Sequence, residues 1–127
     1  MHGHDWPTGL LPVMLNTTLR DAPLGRTATV LTIHNLEHQG YAPARVMDFA
    51  RLPPGEFLRD GIESGGMVNQ LKAGLWHATK LTTVSPTYAK EILTPPGGFG
   101  LDDALRFRAG DLLGILIMVP LALLAVG

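Results

Sequence analysis

MVNQLKAGLWHATKLTTVSPTYAKEI, residues 67–92, alternates its secondary-structure signals tightly enough to set the architecture. After Gly65-Gly66, the apolar residues Val68, Leu71, Leu75 and either Trp76 or Ala78 recur at helical spacing, which predicts a helix from Met67 to Ala78. Lys80-Leu-Thr-Thr-Val84 follows at once as a strand. Ser85 is placed to cap the next helix, with Pro86 in its first turn and Tyr88, Ala89 and Ile92 facing inward. Upstream, Thr27-Ala-Thr-Val-Leu-Thr-Ile33 reads as a buried strand that delivers His34 and Asn35 at its C-terminal end. Before it, Pro7 and the apolar face of Leu10, Leu11, Val13, Met14 and Leu15 predict a helix ending near Arg20. Residues 39–54 read as a long loop with a short helix over Ala44–Arg51. Pro95–Gly100 reads as a loop, Leu101–Arg108 as a short helix and Leu113–Val119 as a last strand. Strands alternating with helices predict an α/β fold, a Rossmann-like parallel sheet with flanking helices. In such sheets ligands bind beyond the C-terminal ends of the strands, so the polar residues there are the first candidates.

The formal net charge is −1 and the pI about 6.5, so the chain has no field to attract nucleic-acid phosphate or anionic lipid. The absence of cysteine excludes disulfides and thiolate metal sites and suits a reducing compartment, so a cytoplasmic location is expected. The opening MHGHDWPTG lacks the basic, then apolar, pattern of a secretory leader. Leu112–Gly127 is uncharged and almost wholly apolar, but it is shorter than the roughly 20 residues of a bilayer span and is interrupted by Gly114 and Pro120. A buried strand followed by a tail is therefore expected here, rather than a membrane anchor.

Three clusters sit at strand ends: His2-Gly-His-Asp-Trp6, Thr32-Ile-His-Asn35 and Val84-Ser-Pro-Thr-Tyr88. A carboxylate and an imidazole at neighbouring strand ends can serve as acid, base or hydroxyl-binding pair, because histidine changes charge near neutral pH. Each residue also has an ordinary structural role open to it. Asp5 can cap a helix before Pro7, His34 can be a core-edge histidine, and Ser85 can be only a cap. His2 and His4 fall on one face of an extended segment, and with Asp5 and His34 they admit a metal-dependent hydrolase as an alternative, although no ligand spacing closes the set. Gly65-Gly66 and Gly97-Gly98 lack the spacing and lysine of a phosphate loop and read as turns.

HGHDWPTGLLPVML (2–15), VLTIHNLEHQG (30–40), NQLKAGLWHATKLTTVSPTYAKEI (69–92) and GFGLDDALRFRAGDLLGIL (98–116), in this order, resemble the N-terminal domain of glycogen and starch synthases. The resemblance runs from His2 to about Leu116 and implies the N-terminal half of a two-domain GT-B glycosyltransferase. The implied reaction moves glucose from ADP-glucose to the non-reducing end of an α-1,4-glucan with retention, without metal or other cofactor. The implied location is the cytoplasm, or the plastid in a photosynthetic eukaryote. Asp5 matches a cleft carboxylate needed for activity, His34 the histidine that contacts the transferred glucose, and Asn35 its neighbour on the cleft wall. Ser85, Tyr88 and Lys72 fall in family-like segments as scaffold.

Departures from the family pattern set further expectations. The family's opening Lys-x-Gly-Gly loop and its second domain have no counterpart in these residues. Residues 117–127 replace a polar turn with an apolar tail, so 1–116 is expected as partial catalytic domain and 117–127 as aberrant. Ser64-Gly-Gly66 replaces a bulkier stretch on the acceptor side. A non-catalytic glucan-binding module, with Trp6, Trp76, Tyr41 and Tyr88 as stacking surfaces, is the remaining alternative.

Overall fold

Strand formation begins at the second residue. In the computed structural model, which describes residues 1–116, β1 (His2–His4) is followed by a 3₁₀ turn (Trp6–Thr8), α1 (Leu10–Asn16) and β2 (Val30–Ile33). Next come β3 (Tyr41–Ala42), α2 (Val46–Phe49), β4 (Glu63–Ser64) and β5 (Met67–Asn69). The chain continues through α3 (Gln70–His77), β6 (Lys80–Thr83), α4 (Pro86–Glu91), α5 (Pro95–Gly98), α6 (Asp102–Phe107) and β7 (Leu112–Gly114). The main sheet has the order β1-β2-β6-β7 and every pair is parallel. The expected α/β class and parallel sheet are therefore present. A second, three-stranded antiparallel sheet, β3-β5-β4, was not legible in the sequence.

Period-2 alternation divides the main sheet. Leu31, Ile33 and Leu81 pack with Leu71 and Leu75 of α3, Ile92 after α4 and Leu105 of α6 in one core, every one of them fully or almost fully buried. Each such side chain contributes about 1.5–3 kcal/mol through burial. Val13 of α1, Met47, Leu52, Ile62, Val68 and Ala73 form a second core under the small sheet. The two cores meet at α3, whose Leu71 and Ala73 serve one each.

Several elements differ from the sequence expectation, each for a local reason. The helix expected over 67–78 begins only at Gln70: Met67–Asn69 pairs with β3 and β4, and the Asn69 side chain then accepts from the Lys72 amide at 3.0 Å as the N-cap. Gly65 and Gly66 form the two-residue turn of that hairpin with φ of 58° and 82°, values that favour glycine at both positions. The first helix does not reach Arg20. It stops at Asn16, where the Asn16 side chain turns to the His77 carbonyl and the Thr17 hydroxyl bonds back to the Val13 carbonyl at 2.7 Å. Pro95–Gly98 is a short helical turn rather than a loop, because Thr94 and the two prolines set up its first turn. The last strand covers only Leu112–Gly114 and lies opposite Leu81–Thr83; expectations about 117–127 concern residues outside those described. Ser85 caps α4 as expected, accepting from the Tyr88 amide at 3.0 Å.

Two further contacts hold the helical layer. A Cβ added at Gly9 would lie 1.9 Å from the Gln70 carbonyl oxygen, so the chain entering α1 crosses the start of α3 at backbone contact. Arg108 donates to the carbonyls of Leu75, Trp76, Ala78 and Thr79, satisfying the C-terminal end of α3. Lys72, 9% exposed, donates its ammonium protons to the Arg59 and Glu63 carbonyls and ties the loop before β4 to α3.

Gly9→Ala should destabilise the chain by about 1–3 kcal/mol in urea unfolding, since the backbone at Gln70 cannot move aside without displacing α3. Burial lowers the Lys72 pKa below its ordinary 10.5, with Glu63 and Asp60 opposing. Between the folded value and 10.5 the unfolded chain holds more protons, so stability rises with pH there. The native chain should gain stability relative to Lys72→Met as pH rises toward 10.5, and a difference that is flat or falling with pH contradicts the assignment.

Candidate active site at the strand ends

Because β1, β2 and β6 run parallel, the residues that follow them emerge on one edge of the sheet. Asp5 follows β1, His34 and Asn35 follow β2, and Ser85 lies just past β6. The Asp5 Oδ1 accepts from the backbone amides of His34 at 2.6 Å and Asn35 at 3.3 Å. The Asp5 amide in turn donates to the Thr32 carbonyl at 2.9 Å, which finishes the β1–β2 ladder. Asp5 does not cap the following turn: its side chain makes no capping bond, which settles the helix-cap alternative against that role. Its backbone has φ 56° and ψ −164°, a region nearly reserved for glycine, and holding a non-glycine there costs about 1–3 kcal/mol. The carboxylate is turned toward β2 at that cost, and its charge-assisted bonds to two amides offset the strain.

Asp5, His4, Trp6, Pro7, Asn35 and His38 line a cleft of about 240 Å³. His38, whose path was open in the sequence, thus belongs to the same concavity. Trp6 lies against Gly40: a Cβ there would come within 2.5 Å of the indole, and φ of 69° independently favours glycine. Beneath the loop, Gln39 is buried and fully used. Its amide nitrogen donates to the Leu36 and Phe99 carbonyls, and its oxygen accepts from Asn69 and Tyr41. This buried glutamine carries the segment after His34 back to α3, and no sequence pattern singled it out.

Tyr88 sits half-buried at the core beside this edge. Burial raises its pKa above 10.0, a backbone hydrogen bond from Leu36 opposes, and the Asp5 charge adds to the rise. Lys72 ties the loop before β4 to α3 and Ser85 caps α4. The proposed metal set does not converge. His2 bonds Thr32, His4 faces His34, and among the described residues no group of three His, Asp or Glu side chains is arranged to hold an ion. The candidate stacking surfaces are also dispersed, with Trp6 on the cleft and Trp76 against Phe107 in a separate groove of about 530 Å³ between α3 and α6. No helix among the described residues is long and apolar enough to cross a membrane.

A parallel sheet with a carboxylate, an imidazole and an amide gathered past adjacent strands defines an α/β domain of the Rossmann-like class with a polar site at its strand ends. Residues 1–107 match the starch synthase catalytic domain. The glycogen synthase of Pseudothermotoga lettingae is 53% identical over 117 residues, and that of Thermotoga maritima is 50% identical over the same length; each comparison covers 91% of this chain and 24% of the relative. The catalytic domain of starch synthase IV from Arabidopsis thaliana, bound to ADP and acarbose, superposes with a TM-score of 0.83 at 34% identity, covering 91% of this chain and 24% of that one. This chain belongs to the starch synthase catalytic domain family. It spans about a quarter of the length of the relatives it matches.

The strained carboxylate yields a sharp prediction. Asp5→Ala loses both amide bonds and should expose the His34 amide to rapid hydrogen exchange, at a stability cost of about 1.5–3 kcal/mol. Asp5→Gly loses the same bonds but relieves the backbone, so it should cost less than Asp5→Ala in the same unfolding experiment. Asp5→Asn keeps an acceptor oxygen and should retain protection at His34; equal exchange in all three variants argues against the bond.

Proposed function

We propose that this chain is one wall of the active site of an ADP-glucose-dependent glucan synthase, which transfers glucose to the non-reducing end of an α-1,4-glucan with retention. The observation that supports this reading is that Asp5 Oδ1 accepts from the backbone amides of His34 and Asn35, with Asp5 and Asn35 lining the cleft. Family membership and the likeness to a starch synthase bound to ADP and acarbose support the donor and acceptor classes. In this reading Asp5 and His34 are the catalytic residues, and His34 with Asn35 binds substrate. Their work is to hold the sugar in register and to stabilise charge as the bond between glucose and phosphate breaks, and this needs preorganised donors more than a nucleophile. Asp5 contributes from one oxygen by fixing the loop that bears the other two. The bacterial relatives and the cysteine-free sequence support a cytoplasmic setting for the parent enzyme. Residues 117–127 stand apart in this reading as a tail that departs from the family.

Grafting residues 2–107 into the Thermotoga maritima glycogen synthase, in place of its own segment, permits a direct assay of elongation from ADP-glucose. Asp5→Ala and His34→Ala in the graft should each lower kcat by about 10²–10³-fold. Unchanged rates would falsify the role assignment. The 127-residue chain alone should show no turnover, because a GT-B site forms between two domains; measurable elongation by it contradicts the half-site view.

A further inference from the structure

The open-edge face of the main sheet carries a row of side chains that the proposed chemistry has not used. His2 and His4 on β1, Thr32 on β2 and Thr82 on β6 share one face by alternation, and His34 continues that row beyond β2. His4 Nδ1 lies 3.1 Å from His34 Nε2, and the two rings are 5.4 Å apart between centroids. The His4 ring is itself stacked on His2, with centroids 4.4 Å apart and planes tilted by 30°. His2 Nε2 is 2.5 Å from the Thr32 hydroxyl, and that hydroxyl is 2.6 Å from the Thr82 hydroxyl. The row is therefore anchored on the two central strands and ends on the His34 imidazole.

The geometry points to His4 as a positioning residue for His34, an inference that rests on reading His34 as the imidazole that meets the transferred sugar. Two ring nitrogens at this separation share one proton: one must carry N–H while the other offers a lone pair. His34 Nε2 is thereby taken, and Nδ1 is the ring nitrogen presented to the ligand. Consecutive residues of one strand end then hold the same residue from two directions. Asp5 holds its backbone amide at 2.6 Å, and His4 holds its ring. Rotation of an imidazole about its last torsion is otherwise soft, so an amide bond alone leaves the ring free to turn. His4 removes that freedom, and the stack on His2, tied to Thr32 and Thr82, holds His4. The consequence is specificity of orientation: a sugar hydroxyl or phosphate oxygen meets one defined nitrogen in place of an average over both.

The tie can be read without any activity. In the uniformly ¹⁵N-labelled 127-residue chain, a through-hydrogen-bond nitrogen–nitrogen coupling should connect His4 Nδ1 with His34 Nε2 and disappear in His4→Phe, which keeps a ring to stack on His2. Absence of that coupling in the native chain, with both His34 nitrogens averaging between tautomers, overturns the inference. In the grafted synthase, His4→Phe should lower kcat about tenfold, the equivalent of one ordinary hydrogen bond, with the KM for ADP-glucose nearly unchanged. His4→Asn places an amide near the position of Nδ1 and should recover most of the loss. An unchanged kcat in His4→Phe, or an equal loss in His4→Asn, removes the positioning role. A His34→Ala graft whose kcat is unchanged sinks the functional reading instead and leaves the measured coupling standing.

Discussion

One carboxylate links the two strand ends on which the candidate site is built. Asp5 must leave β1 with a backbone conformation that a side chain disfavours, and it does so because its Oδ1 then meets the amides of His34 and Asn35. Without those bonds the strain has no offset, and the loop after β2 loses the acceptor that orders its first two residues. The position of Asp5 also follows from the sheet. Parallel pairing of His4 with Thr32 places the next residue of each strand within reach of the other, and no antiparallel arrangement would deliver both ends to one edge.

That edge is held from beneath by α3. The helix is pressed against the chain at Gly9, capped at its start by Asn69 and closed at its end by Arg108. The contacts at Gly9 and Arg108 join segments distant in sequence, so the helical layer and the strand ends are placed as one unit. Gln39 extends the same logic to the loop. Its side-chain amide bonds Leu36, Phe99, Asn69 and Tyr41, so the residues between His34 and Gly40 run over a buried polar junction in place of open solvent. A junction of this kind is stable only when every member is paired, and here each bond is of ordinary length.

Much of the architecture was legible in local chemistry. The β-branched run ending at Ile33, the strand expected over Lys80–Val84 and the Ser85-Pro86 start of α4 depend on neighbouring residues alone, and the structure has all three, with the first strand starting at Val30 rather than Thr27 and the second ending at Thr83. The small antiparallel sheet was not legible, because its strands are only two or three residues long and are defined by partners rather than by periodicity. For the same reason Met67–Asn69 reads as helix by spacing and pairs as strand in the fold: hydrogen bonds to Tyr41–Ala42 and Glu63–Ser64 outweigh a weak local preference.

By itself the sequence determined the α/β class, the parallel order of helix and strand, and the three polar strand-end clusters, since residue type, spacing and strand-end position are properties of the chain read in one dimension; the family resemblance, also a property of the sequence, drew Asp5, His34 and Asn35 out of them. Only the tertiary structure decided what Asp5 does. A carboxylate before a proline is equally able to cap a turn or to reach across to another strand, and the choice is made by strand pairing that brings residues about thirty positions apart within 2.6 Å. The tie from His4 to His34 was decided at the same level, since it requires two histidines on neighbouring strands to fall on one face in register, and that arrangement exists only once the sheet has formed.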